Sequence, residues 1–253
     1  MNTSDRPPLF SIITICLNHV SGLKATHQSL SQQRYQNFEW IVIDGGSGPD
    51  TRNFLQTTRA LWVSEKDNGL YDAMNKGIEK SSGDYLLFLN AGDLLANPTI
   101  LATIAQELDQ VIQPPGFIYG DAIEDGHIKN ARPAATLTQG LFTHHQAMLY
   151  KRDHIGALRY DLRYKIAADY AFTAQFLAQD CNTLYIPQPL CIFETGGVSQ
   201  KNAKAGRMEQ WQIRKDLNMT SRVHNTLIFI KHWLSWGLRS TCPKLYWFLR
   251  ERA

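Results

Sequence analysis

Apolar runs and helically spaced segments alternate from the start of the chain: FSIITICL, SGLKATHQSLSQQ, FEWIVID, a Gly-Ser-Pro loop, TRNFLQTT, LWVSE, LYDAMNKGIEKS and YLLFLN. Short β-branched runs separated by amphipathic stretches predict an α/β protein with a mainly parallel central sheet and helices on both faces. Asn97 and Pro98 suit a cap and first helical residue ahead of TILATIAQEL. Past the PPG at 114–116 the pattern changes, and FIYGDAIEDGHIK predicts strands around an Asp125-Gly126 hairpin turn. HQAMLY then reads as a strand, ADYAFTAQFLAQD as a helix, and TLYIPQPLCIFE as one or two strands. The simplest organisation is one unit over residues 1–224, with about 8–110 nucleotide-binding in style and about 111–200 forming the other wall of a cleft.

Composition narrows the class. An apolar fraction of 43% and a charged fraction of 19% describe an ordinary globular chain. The net charge of +3 is uneven: residues 225–253 carry +4, leaving −1 for the rest. A nucleic-acid footprint on the main body is therefore not expected. Cys16, Cys181, Cys191 and Cys242 form no Cys-x-x-Cys pair, which argues against a zinc knuckle or disulfide scaffold and suits a reducing cytosol. The polar MNTSDRPPLF start has no signal-peptide pattern, so a cytoplasmic location is expected.

The polar residues that follow the apolar runs are the candidates for chemistry. Asp44 ends the second strand ahead of Gly45-Gly46-Ser47, at a carboxyl edge of the sheet where ligands of open α/β sheets bind. Its carboxylate can accept from a base N–H or a ribose hydroxyl, although an Asx-type turn explains the same residues. Asn90-Ala91-Gly92-Asp93 follows YLLFL at the same kind of edge. Asp93 there could hold Mg²⁺ or Mn²⁺ against a diphosphate and Asn90 a ribose or metal-bound water; an ordinary strand-to-helix loop is the alternative. Asp67 and Asn68 lie between strand and helix, where nucleotide contacts fit, whereas Asp72 and Lys76 have the spacing of a solvated ion pair. Asp169 opens a predicted helix, where it can be an acceptor-side base or merely complement the helix dipole. Of His144 and His145, adjacent on a strand, one faces a cleft and one does not; His145 and Gln146 are candidate contacts for phosphate or acceptor. Gly197 and Ser199, with Lys201 and Arg207 beyond, suit a mobile lid or a plain linker.

Together, SIITICLN, VIDGGS, EKDNGLYDAMNKGI, GDYLLFLNAGD, HHQAML, AADYAF and GGVS resemble glycosyltransferase family 2, over roughly residues 10–200. The likeness is to bacterial exopolysaccharide members, particularly colanic-acid-type transferases. It implies the GT-A fold, with a Rossmann-like nucleotide-binding half and an acceptor-binding half, and inverting transfer from a nucleotide-diphosphate sugar to a glycan or lipid-linked oligosaccharide. The resemblance implies Asp44 at the nucleoside and Asp67 and Asn68 near the donor; Asn18, Asn75, Asn90 and Ala91 are further candidate donor contacts. It further implies Asp93 at Mn²⁺ or Mg²⁺ and Asp169 as catalytic base. The chain departs from the family in having Asp44-Gly45 in place of paired aspartates, and Asn90-Ala91-Gly92-Asp93 in place of a more acidic motif. The Gln-x-x-Arg-Trp motif of processive synthases is absent, which points to single addition.

The tail, residues 225–253, predicts an amphipathic helix with Lys231, Ser235 and Arg239 as a polar strip, followed by Lys244, Tyr246, Trp247 and Arg250. Its apolar run is too short to span a bilayer. Peripheral attachment through Trp233, Trp236 and Trp247, docking on the protein's own core, and contact with a second subunit in a homo-oligomer all fit. A non-catalytic nucleotide-sugar or glycan-binding component is the rival function. A sugar nucleotidyltransferase is less well matched, because SIITICLNHVSG has no glycine before Gly22.

Overall fold

A computed structural model describes residues 8–242. Four parallel strands come first: β1 (Phe10–Cys16), β2 (Phe38–Asp44), β3 (Leu61–Ser64) and β4 (Tyr85–Phe88). They are joined by α1 (Val20–Ser31), α2 (Pro49–Gln56) and α3 (Leu70–Lys80). The short β5 (Leu94–Leu95) and α4 (Ile100–Gln110) follow, then β6 (Phe117–Glu124), β7 (His127–Lys129), β8 (Met148–Lys151), α5 (Arg152–Ile155), α6 (Ala168–Leu177) and β9 (Thr183–Phe193). Among the described residues, nine strands form one sheet in the order β3-β2-β1-β4-β8-β6-β9-β5, with β7 paired to β6. β8 runs antiparallel to both β4 and β6, while β6 and β9 are parallel.

The alternation within each strand explains the two covering layers. Ile13, Ile41, Ile43 and Phe88 face one core, which α3 and α6 close with Tyr71, Met74, Tyr170 and Phe172. Their sequence neighbours Ile12, Trp40, Val42 and Leu87 face the other, closed by Leu23, Leu55 and Ile104 from α1, α2 and α4. A strand buried on both faces needs apolar residues in both registers, which is why these runs are continuous. Gly77 lets α3 approach the sheet: a Cβ there would lie 2.4 Å from Ile13 Cγ2.

Several boundaries differ from the sequence-based expectation. Asn97 is the hinge of a turn, its Oδ1 accepting from Thr99 N at 2.9 Å, and α4 begins at Ile100 with Thr99 as its cap. In HQAMLY the strand starts only at Met148, since His145–Ala147 form a 3-10 turn. TLYIPQPLCIFE is one strand, with its pairing to β6 interrupted near Pro189, which lacks an N–H for the ladder. The Asp125-Gly126 turn is as predicted, both residues having positive φ (53° and 78°).

The end of the chain is built on the body. A one-turn α7 (Val198–Lys201) leads to α8 (Ala203–Asp216) and α9 (Arg222–Thr241). The last helix starts three residues before the predicted tail, and Asn225 is buried, donating to Trp211 O at 3.0 Å and accepting from Arg214 Nε at 2.6 Å. His232 Nε2 lies 2.8 Å from Gln139 O, and Arg207 Nε donates to His232 O at 3.3 Å. Arg207, expected at a diphosphate, is thereby an anchor of α9. Trp236 lies under Lys204 and Arg207, so it too faces the protein. Lys244, Tyr246, Trp247 and Arg250 lie outside the described residues.

Candidate active site

Parallel strands leave their carboxyl ends in register. Cys16 pairs with Asp44, and Asp44 with Ser64, so the loops after β1, β2 and β3 open on one edge. Asp44 is buried, and its Oδ2 accepts from Ser64 Oγ at 2.6 Å and Ser47 N at 3.0 Å. Its Oδ1 is buried without a hydrogen-bond partner. Ser47 Oγ in turn receives Asn18 N at 2.7 Å, with Asn18 in the left-handed region at φ 53°. Gly45 is required by close approach: a Cβ would stand 2.5 Å from Asp67 Oδ2. Asp44, Asn18 and Asp67 therefore meet at one corner, although the sequence separates them by up to 49 positions.

Asp67 Oδ1 accepts from Gly69 N at 3.0 Å, and Asp72 Oδ2 accepts from Asn68 N at 2.9 Å, ordering the turn into α3. Lys76 is paired with Glu65 at 2.7 Å and lies 3.8 Å from Asp72. Asn75 has a different job from the donor contact expected of it. Its side chain clamps the Tyr160 backbone, donating to Tyr160 O at 3.0 Å and accepting from Tyr160 N at 2.8 Å.

The loop after β4 is held by Thr26, whose Oγ1 donates towards Asp93 O at 2.9 Å and accepts from Gly92 N at 3.0 Å. Asp93 is 3% exposed; its Oδ1 accepts from Glu194 N at 2.9 Å and its Oδ2 from Gln146 Nε2 at 3.0 Å. Burial pushes its carboxyl up to about 7, against the pull of those two donors. Asp93, expected at the metal, and Gln146, expected at phosphate or acceptor, are thus bonded to each other in a buried place, where they tie the loop to the end of β9. Asn90 Oδ1 and Ala91 stay with the loop, the former buried without a partner. Among the described residues, no group of three or more His, Cys, Asp or Glu side chains is placed to hold a metal ion.

His145 is likewise a core residue. It is 5% exposed, stacks on Phe88 at 5.0 Å, and its Nε2 lies 2.9 Å from Tyr160 Oη. Burial lowers its pKa to about 3, which favours a neutral imidazole in this place. His144 points elsewhere, to Glu124 Oε2 at 3.3 Å and the Phe193 ring at 4.4 Å.

Asp169 stands in the first turn of α6. Its Oδ1 accepts from Tyr170 N at 2.8 Å and from Tyr71 Oη at 3.2 Å; the same hydroxyl lies 2.8 Å from Ile166 O. Burial pushes the Asp169 carboxyl up to about 6, and the Tyr170 N–H and Tyr71 hydroxyl work in the opposite direction. The loop before α6 is pinned by Glu209, whose two oxygens accept from Lys165 N, Ile166 N and Ala167 N at 2.8 Å each. Tyr71 and Glu209 escape sequence reading because each is an ordinary residue in a helical pattern, made special only by its partner more than 40 positions away. Tyr71, Asn68, Asp72, Tyr164 and Lys165 line one shallow depression, and Tyr71, whose hydroxyl reaches Asp169, is its link to that carboxylate. A larger hollow of about 370 Å³ lies at the other edge of the sheet, between Ser81, Arg152 and Arg159, and holds none of these carboxylates. Gly197, Ser199 and Lys201 belong to the exposed turn beyond β9, where a Cβ on Gly197 meets nothing within 4 Å.

The profile of glycosyl transferase family 2 matches residues 11–168. An uncharacterised glycosyltransferase of Mycobacterium tuberculosis is 36% identical over 202 residues, covering 76% of this chain and 77% of the relative. A PGL/p-HBAD biosynthesis glycosyltransferase of Mycobacterium bovis is 30% identical over 240 residues, covering 89% and 91% respectively. Among solved structures, S. aureus TarS with UDP-GlcNAc superposes with a TM-score of 0.69 at 15% identity, over 92% of this chain and 74% of that one. The Pyrobaculum calidifontis mannosyltransferase with GDP-Man and Mn²⁺ gives 0.65 at 14% identity, over 97% and 79%. These two likenesses concern the fold, which is that of GT-A glycosyltransferases. With the profile covering more than half of the chain, including the strands and loops that carry Asp44, Asp67 and Asp93, the chain belongs to glycosyl transferase family 2.

Proposed function

We propose that this glycosyltransferase moves a single sugar from a nucleoside-diphosphate sugar to a hydroxyl of a glycan or lipid-linked oligosaccharide, with inversion at the anomeric carbon. The observation that carries this is Asp169, a carboxylate with a raised pKa that accepts from the Tyr71 hydroxyl, Tyr71 itself lining a depression with Asn68. Asp44, Asn18 and Asp67 bind the nucleoside end of the donor. Asp169 takes the proton from the acceptor hydroxyl as the new bond to the sugar forms and the bond to the diphosphate breaks. A carboxylate suffices because the hydroxyl acidifies as it attacks an oxocarbenium-like centre. Gly197, Ser199 and Lys201 close over the diphosphate from their exposed turn. Mn²⁺ or Mg²⁺ is the fitting cofactor, supplying charge neutralisation of the leaving diphosphate when bound; the Pyrobaculum calidifontis mannosyltransferase is in complex with Mn²⁺ as well as GDP-Man.

The test is transfer or donor hydrolysis across UDP-, GDP- and dTDP-sugars with and without Mn²⁺. Turnover with at least one donor is the expected result, and silence with all of them, alongside retained nucleotide binding, would favour a non-catalytic binding component.

The location that fits best is the cytoplasmic face of a membrane. Among the described residues no helix is long and apolar enough to cross one. On α9, however, Val223, Leu227, Ile230 and Leu234 recur at helical spacing on one side and are 73%, 60%, 49% and 70% exposed. These aliphatic side chains form the face for lipid, with Arg222 near anionic headgroups. Leu227→Glu with Leu234→Glu should lower partitioning onto anionic liposomes by about a hundredfold or more, given about 1.5–3 kcal/mol for each large apolar side chain buried. Unchanged sedimentation would remove the membrane face, and a shift from dimer to monomer in the same variant would assign it to a second copy.

A further inference from the structure

Gly92, in the loop after β4, offers bare backbone, and a carboxylate from another element lies against it. Gly92 has φ 104°, and a Cβ there would lie 2.0 Å from Glu194 Oε2 and 2.8 Å from Oε1. The Glu194 carboxylate thus sits against the bare backbone of Gly92, delivered by the end of β9. A second glycine repeats the device from the opposite side. A Cβ on Gly22 would lie 2.2 Å from His19 Nε2 and 2.9 Å from Gly92 N, so the His19 imidazole rests in that gap. His19 Nε2 and Glu194 Oε2 are 3.0 Å apart, and the two side chains remain 39% and 47% exposed. Asp93, one residue on, fixes this arrangement by accepting from Glu194 N.

The geometry points to Glu194, with His19 beside it, as the protein's hold on a divalent cation at the donor diphosphate, and to Asp93 as the positioning residue behind it. One carboxylate oxygen and one imidazole nitrogen are a donor set that Mn²⁺ accepts. They fall short of a closed cage, consistent with the lack of a three-residue cluster among the described residues. Sites of this kind take only one or two protein ligands and draw the rest from phosphate oxygens and water. The identity of the phosphate rests on the function proposed above; the protein ligands do not.

Mn²⁺ binding to the full chain, followed by the loss of the free-ion electron paramagnetic resonance signal with and without UDP or GDP, tests this. Glu194→Gln should weaken Mn²⁺ binding by about tenfold or more, a fall at least as large as loss of a supporting residue around a metal brings. The exposed control Glu79→Gln should stay within about twofold, whereas Asp93→Ala, which removes the acceptor of Glu194 N, should weaken Mn²⁺ binding by about tenfold. Thermal unfolding of each variant keeps misfolding apart from ligand loss. Wild-type affinity in Glu194→Gln, or no Mn²⁺ binding by the wild type under either condition, overturns the assignment. Sugar transfer by a protein whose Glu194→Gln variant keeps full Mn²⁺ affinity sinks the site and leaves the function. Mn²⁺ binding that depends on Glu194, in a protein that takes up no nucleotide, supports the site and sinks the function.

Discussion

Asp169→Asn will lose sugar transfer by about 10²–10⁴-fold, the usual contribution of a positioned general base, while its affinity for the nucleotide sugar stays near that of the wild type. The amide keeps the size of the carboxylate, and its Oδ1 still accepts from Tyr170 N, so the turn of α6 is preserved. What disappears is a site that can take a proton. The wild-type pH profile follows from the same group. With the carboxyl pushed up to about 6 by burial, kcat/KM should fall about tenfold per pH unit below that value and level off above it, since only the ionised form accepts a proton. Tyr71→Phe removes a hydroxyl that lies 3.2 Å from the carboxylate and favours its charged form. In that variant the acidic limb should move to higher pH. Turnover retained in Asp169→Asn would remove the residue from the base role, and an unmoved limb in Tyr71→Phe would show that the observed ionisation belongs to another group.

The alternation of strands and helices was legible because each β-run is apolar in both registers, a pattern only a doubly covered sheet demands. Asp44, Asp67 and Asn90 stood out for a related reason: polar residues that end an apolar run must emerge at its carboxyl edge. Partners chosen across the fold were not legible. Nothing around Glu194 marks it in sequence, since its meaning comes from Gly92 and Gly22, 102 and 172 positions away. His145 misled for the opposite reason. A histidine beside a glutamine reads as chemistry, yet Phe88 and the Tyr160 hydroxyl satisfy it in the core. Arg207 misled because a cation in an apparent lid is indistinguishable, in sequence, from one that anchors a later helix. The tail itself was legible as amphipathic, but Trp236, expected at an interface, lies beneath Lys204 and Arg207, while Val223, Leu227, Ile230 and Leu234 are exposed.

Asp93 gives the largest expected effect on stability, and the comparison of two substitutions separates its charge from its hydrogen bonds. Asp93→Ala leaves the Glu194 N–H and the Gln146 amide without an acceptor in a place 3% exposed. Each orphaned donor costs about 1–3 kcal/mol, so the variant should lose about 2–5 kcal/mol, or about 5–15 °C in Tm for a chain of this size. Asp93→Asn retains an oxygen for Glu194 N, and its Nδ2 is satisfied if the Gln146 amide turns to present Oε1. The sign of the pH effect follows from the carboxyl being pushed up to about 7 in the fold from an ordinary 3.8. The unfolded chain gives up this proton first, so the stability contributed by the protonated group is complete below about pH 4 and is lost as pH rises through about 7. Asparagine has no proton to lose. Relative to wild type, Asp93→Asn should therefore gain stability steadily between pH 4 and 7, by an amount on the order of a few kcal/mol, while Asp93→Ala stays below both at the acid end. Denaturant melts at pH 4, 5.5 and 7 make the comparison. Equal losses in both variants, or a difference between wild type and Asp93→Asn that does not change with pH, would mean that the carboxyl is ionised in the fold throughout this range and that the loop is held by its charge.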